Sequence, residues 1–169
     1  DRAVNLDGTR NVLALCGRLG APLVLTSTAA VYGPAAELPI AETAPIAPAS
    51  PYAESKAAAE RAVLEHAREH GLPHAICRLA NVYGPRQRGD GEAGVVAVIA
   101  DRLATGQPIT LYGHDEPTRD FVHAGDVARA LLAALGSATT LNISTGRAIP
   151  VRAVRSEEHT SELQSHHDL

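Results

Sequence analysis

Short apolar runs alternate with stretches of helical periodicity along this chain, and that alternation restricts its fold more than any single residue does. Leu23-Val24-Leu25, His74-Ala75-Ile76-Cys77-Arg78-Leu79, Ile109-Thr110-Leu111-Tyr112 and Leu141-Asn142-Ile143 have the length and composition of buried strands. Between them, residues 3–19, 52–70, 94–105 and 126–135 repeat apolar positions at helical spacing, and Phe121-Val122 reads as a short extended piece. Strand and helix alternating at this pitch predict an α/β fold with a parallel sheet covered on both faces. At 169 residues the chain is one domain's worth and long enough to bury a core. Aromatics make up only 3% and Trp and Met are absent, so that core must be Ala, Val, Leu and Ile. Pro34, Pro39, Pro45, Pro48 and Pro51 mark residues 34–51 as a loop.

Cys16 falls in a predicted helix and Cys77 in a predicted strand, which reads as two buried free thiols in a reducing compartment. No apolar run approaches the roughly 20 residues of a membrane span and no signal peptide opens the chain, so a soluble, cytoplasmic protein is expected. Residues 155–169 match a sequencing adapter translated in frame and are read as a non-native tail. Its His159, His166, His167 and Asp168 imitate a metal site, and no metal is expected there. The formal charge is −4, and without the tail's one arginine and four acids it is −1. Neither value calls for a nucleic acid or a membrane surface as partner. The chain opens inside a helical pattern and stops where another helix is due, which predicts a piece of a longer protein.

Lysine occurs once, at Lys56, whereas arginine occurs fourteen times. A position that keeps lysine in such a background suggests a need for a compact ammonium on a flexible stem, although an Arg-rich, Lys-poor composition also weakens the signal. Tyr52 stands four residues earlier, so both side chains can share one helix face. A neighbouring ammonium favours the phenolate, the form a general base requires. A surface Tyr/Lys pair would show the same spacing.

Four motifs follow in order. Thr26-Ser27-Thr28-Ala29-Ala30-Val31-Tyr32-Gly33 ends a strand, and Tyr52-x-x-x-Lys56 opens a helix. Arg78-Leu79-Ala80-Asn81-Val82-Tyr83-Gly84-Pro85-Arg86 ends another strand, and Thr118-Arg119-Asp120-Phe121-Val122-His123 precedes Asp126-Val127-Ala128. Together they resemble the extended short-chain dehydrogenase/reductase family, specifically its nucleotide-sugar epimerases and dehydratases, over residues 1 to about 154. The opening run from Val4 to Leu13 is similar to that family's fourth helix.

The resemblance implies a truncated Rossmann-like, doubly wound parallel sheet lacking the N-terminal βαβ unit, with part of a small substrate-binding subdomain. Residues 1–90 would be the C-terminal half of the NAD-binding domain. Residues 91–154 would be the nucleotide-sugar region interleaved with its last elements. The resemblance makes NAD the cofactor, a nucleotide-diphosphate sugar the substrate and a homodimer the parent assembly. Tyr52 would be the acid/base and Lys56 would hold the nicotinamide ribose. Thr28, otherwise a strand-end turn residue, would bond the reacting hydroxyl. Asn5, equally readable as a helix-surface amide, would face the cofactor. Leu79 and Ala80, which also suit a core, would lie against the nicotinamide. Asn81, otherwise a loop cap, would touch the substrate. Arg119, otherwise in a surface ion pair with Asp115 or Glu116, would meet the diphosphate, and Thr110, Leu111 and Tyr112 would flank the base.

Gly89-Asp90-Gly91-Glu92-Ala93-Gly94 has the spacing of a dinucleotide loop but lacks the buried strand before it, and its acids repel phosphate. The true glycine loop is expected upstream of Asp1. Asn142-Ile143-Ser144 matches a glycosylation sequon that a cytoplasmic chain does not use. Family dehydratases carry an Asp-Glu pair after the threonine, where this chain has Ala29-Ala30, so 4-epimerisation of the UDP-glucose/UDP-galactose type is expected ahead of 4,6-dehydration or decarboxylation. A catalytically inactive truncated piece is the alternative of another class.

Overall fold

The computed structural model describes residues 1–34, 37–89, 94–109 and 117–154. A π-helical turn, Ala3–Asp7, leads into α1 (Gly8–Leu19), which ends at Gly20 in the left-handed conformation. Strand β1 (Leu23–Thr28) runs into a 3₁₀ turn, Ala29–Tyr32. The long helix α2 (Pro51–His70) has three start and stop signals in its sequence. Ser50 Oγ accepts from the Ala53 N–H at 3.2 Å, Pro51 fills the first turn, and Gly71 closes the helix at φ 65°. Strands β2 (His74–Leu79) and β3 (Asn81–Tyr83) and helix α3 (Val95–Ala104) follow. Then come β4 (Thr118–Arg119), β5 (Phe121–His123), α4 (Ala124–Ala134), β6 (Thr140–Ile143) and β7 (Ile149–Pro150).

The chain divides into two compact units. The first, Asp1–Ala80 with Val127–Ile143, holds a parallel sheet in the order β1-β2-β6. Leu23 pairs with His74 through to Thr28 with Leu79, and Ile76 to Leu79 pair with Thr140 to Ile143. The central strand β2 supplies both faces of the core, as strand alternation requires. Ile76 packs with Leu13 of α1 and Val63 of α2, while Ala75 and Cys77 pack with Ala134 of α4. The expected sheet covered on both faces is therefore present. Cys16 and Cys77 are buried and unpaired, and burial pushes the Cys77 thiol up.

The second unit, Asn81–Asp126 with the segment from Ser144 onward, pairs β3 with β5 in parallel and β4 with β7 antiparallel. Its core is Ile99, Phe121 and Val151, with Val96 and Leu103 packed beside them. Three elements differ from the sequence reading. The helix expected over 3–19 begins as a π-helical turn, because the Gly8 N–H bonds the Ala3 carbonyl five residues back. Asn81, also readable as a loop cap, lies in strand β3, where its N–H donates to the Asp120 carbonyl at 2.9 Å, which bears on the cap and not on the expected substrate contact. Ile109, placed in a strand by its apolar run, is outside any strand, and Thr110, Leu111 and Tyr112 lie outside the described residues.

Candidate active site

In the first unit, the carboxyl ends of β1 and β2 carry Thr28, Leu79 and Ala80, the edge at which parallel α/β sheets place ligands. Helix α2 packs against this sheet and buries Ala53, Ser55, Ala57, Ala59, Glu60 and Val63. Tyr52 stands in its first turn with the side chain 42% exposed. One turn on, the Lys56 ammonium donates to the Thr26 carbonyl at 3.1 Å, so β1 and α2 meet beside the two residues the sequence singled out. Burial pulls the Lys56 pKa below its ordinary value.

Thr28 Oγ1 accepts from the Ala30 N–H at 3.2 Å and caps the 3₁₀ turn. Accepting there leaves the hydroxyl proton available to a bound oxygen. The turn role and the substrate role are therefore compatible. Asn5 donates to Ser55 Oγ at 2.9 Å, and Ser55 donates to the Tyr52 carbonyl at 2.7 Å. Asn5 thus fastens the π-helical turn to the start of α2. Leu79 borders the cluster of Ala75 and Cys77, and the Ala80 N–H donates to the Ile143 carbonyl at 3.0 Å.

In the second unit, the Asn81 side chain donates to the Asp120 carbonyl at 3.1 Å. Arg119 is exposed, with Nη1 on the Thr118 carbonyl at 2.8 Å. A cavity of about 750 Å³ is lined by the loop from Tyr83 to Gly89, the exposed side of α3 and His123. Arg86 in that loop holds φ at 71°, a left-handed conformation rare for a residue with a side chain. Asp120 stands in the sequence motif without an assigned role. Its carboxylate accepts from the Thr145 N–H, the Thr145 hydroxyl and the Gly146 N–H at 2.9, 2.8 and 2.7 Å.

Sequence reasoning also missed a polar network under the strand ends of the first unit. Glu60 and Arg78 form a buried ion pair at 2.8 Å. Arg78 Nη1 donates to the Tyr32 hydroxyl at 2.8 Å and to the Glu42 carbonyl at 3.0 Å, and Tyr32 donates to Asn142 Oδ1 at 2.7 Å. The available signal was two charges at apolar positions: Glu60 two turns after Tyr52 and Arg78 inside a buried strand.

Among the described residues no helix is long and apolar enough to cross a membrane, and no three His, Cys, Asp or Glu side chains gather as metal ligands.

Residues 2–144 match the NAD dependent epimerase/dehydratase family. The chain belongs to that family. A UDP-glucose 4-epimerase of Mycolicibacterium smegmatis is 36% identical over 151 residues, covering 86% of this chain and 48% of the relative. The crystal structure of a UDP-glucose 4-epimerase from Thermus thermophilus, solved with NAD, is 44% identical with a TM-score of 0.85. That match covers 92% of this chain and 53% of the other. UDP-glucuronic acid decarboxylase 1 of Arabidopsis thaliana is 37% identical over 134 residues, 76% of this chain and 31% of the relative. The similar structures also include dehydratases. The chain spans about half the length of the first curated relatives it matches. The α/β architecture expected from strand and helix alternation is the family's Rossmann-like fold, of which this chain provides a truncated part.

Proposed function

We propose that the protein carrying this chain is an NAD-dependent nucleotide-sugar 4-epimerase of the UDP-glucose/UDP-galactose type. The observation that carries this reading is the Lys56 ammonium on the Thr26 carbonyl, which joins the start of α2, where Tyr52 stands, to the strand that ends in Thr28 and runs into two alanines in the 3₁₀ turn. The residues present suit the nicotinamide half of NAD. Lys56 has a carbonyl partner and, among the described residues, no carboxylate neutralising it, and Leu79 and Ala80 offer an apolar strand end in the same unit. When bound, NAD supplies a reversible hydride acceptor next to the sugar.

This chain's own groups move and steady the proton. The Tyr52 phenolate takes it from the sugar 4-hydroxyl and returns it after the sugar has turned in the pocket. Thr28 donates to the oxygen whose charge changes, and Lys56 supplies fixed positive charge on the tyrosine side. Ala29 and Ala30 present methyl groups, which cannot pass the second proton that elimination of water across C5 and C6 needs. The diphosphate fits Arg119, whose planar guanidinium can take two phosphate oxygens at once.

The test is product analysis with a full-length protein carrying this segment, given UDP-glucose or UDP-glucuronate with NAD+. Epimerisation forms UDP-galactose from UDP-glucose. A 4-keto-6-deoxy sugar, or carbon dioxide released from UDP-glucuronate, would replace this reading by dehydration or decarboxylation.

A further inference from the structure

Up to Glu60 the buried apolar side chains of α2 are alanines, and the first branched one, Val63, packs with Ile76 just beyond it. Ala53, Ala57 and Ala59 are buried in that stretch, and single methyl groups make fewer interlocking contacts than branched side chains. One residue of slippage moves every side chain on the helix by about 1.5 Å. An error of about 1 Å between reacting groups can cost about a hundredfold in rate.

Polar pins add to the hold on the register along that stretch. Lys56 reaches the Thr26 carbonyl at 3.1 Å. One turn on, Glu60, 1% exposed, accepts through Oε1 from the hydroxyl of Ser27, itself 4% exposed. The other side of the Glu60 carboxylate is held by Arg78, Nε at 3.1 and 3.3 Å and Nη2 at 2.8 Å. Arg78 is committed in turn to Tyr32 and to the Glu42 carbonyl. Tyr52, Lys56 and Glu60 are spaced i, i+4, i+8 on α2, while Thr26, Ser27 and Thr28 are consecutive on β1. The clamp on Ser27 therefore sets where Lys56 and Tyr52 stand along the strand that ends in Thr28.

We propose that Glu60, clamped between Ser27 and Arg78, is a positioning residue that fixes the register of α2 on β1 and so places Tyr52 and Lys56 against Thr28. It touches neither sugar nor cofactor. Its effect on turnover rests on the reading in "Proposed function"; its effect on register does not.

Lys56 is the sole lysine of the chain, so lysine labelled at Nζ and Cε gives one side-chain NMR signal that reports this register directly. Two variants separate position from stability. Ser27→Ala removes the strand pin and leaves the ion pair. Glu60→Met with Arg78→Leu replaces the pair by apolar side chains, a change that commonly keeps or raises stability. In the full 169-residue chain, both should move the Lys56 signal and raise its titration midpoint towards that of a free lysine, because a slipped helix returns the ammonium to water. Ser27→Thr, which keeps the hydroxyl, should restore the parent signal. In a full-length protein the same variants should lower kcat about tenfold or more with KM for the nucleotide sugar little changed. An unmoved Lys56 titration in Ser27→Ala overturns the proposal, whether or not the double variant folds. If the signal moves but the parent turns over no nucleotide sugar, the clamp stands and the epimerase reading falls.

Discussion

Burial strips water from the Lys56 ammonium, and among the described residues the Thr26 carbonyl is what it meets in return. A cation in that position is held at a cost to stability, because its charged form is favoured more in the unfolded chain. The sign follows from a folded pKa below the unfolded one. The penalty is complete at neutral pH and relieved as pH rises through the lowered pKa. Lys56→Met should therefore leave the melting temperature equal or higher at pH 7 while abolishing turnover in a full-length protein. A melting temperature several degrees lower would mean that the lysine serves the fold. Tyr52→Phe keeps the ring and removes the exchangeable proton. It should cut kcat by about 10²–10⁴ and leave nucleotide-sugar affinity nearly unchanged, as measured by steady-state kinetics and calorimetry.

Two elements invite their own tests. The loop leaving β1 turns at Gly33 with φ 67° and ψ −154°, a region almost closed to residues with side chains, and a Cβ there would overlap the Ala47 carbonyl. Gly33→Ala should destabilise the protein by about 1–3 kcal/mol in denaturant titration, from conformation alone. The second element is the contact of α1, α2 and β2 at His66. The Leu23 N–H donates to His74 Nδ1 at 3.1 Å, and His74 Nε2 and His66 Nδ1 share a hydrogen bond at 2.9 Å. His66 Nε2 is buried with no partner at hydrogen-bond geometry among the described residues. Burial, then His70 and His74, hold its pKa below the ordinary histidine value, against opposing contributions from Glu69 and the Leu13 carbonyl. Because the unfolded chain takes up this proton more readily, stability should fall as pH drops below about 6.5. His66→Gln should flatten the pH dependence of melting between about pH 7 and 5. An unchanged slope would assign that dependence to other groups. The Glu42 carboxylate, held low by the Asn142 N–H and its own backbone N–H, acts in the more acidic window below the ordinary carboxylate range.

For the whole molecule, the expectation is that the 169 residues alone bind NAD+ weakly. The described residues include the nicotinamide-side groups, and no glycine loop between a buried strand and a helix stands among them to receive a pyrophosphate. Micromolar binding by calorimetry would show that the cofactor loop has been misplaced. What the sequence determined by itself was local. The helical periodicity of residues 3–19 and 52–70, the buried strands around Leu23 and Ile76, the Tyr52/Lys56 spacing and the ordered motifs are written in neighbouring residues, whose propensities and periodicity need no partner. Tertiary structure decided the rest. Strands β3, β4 and β7 are two or three residues long and exist through pairing rather than propensity. The partners of Glu60 stand 33 and 18 residues away at Ser27 and Arg78, and Asn142 meets Tyr32 across 110 residues. Periodicity reads which face a side chain takes. Which distant group waits on that face is fixed only when the sheet forms and a buried charge has to find its counter-charge.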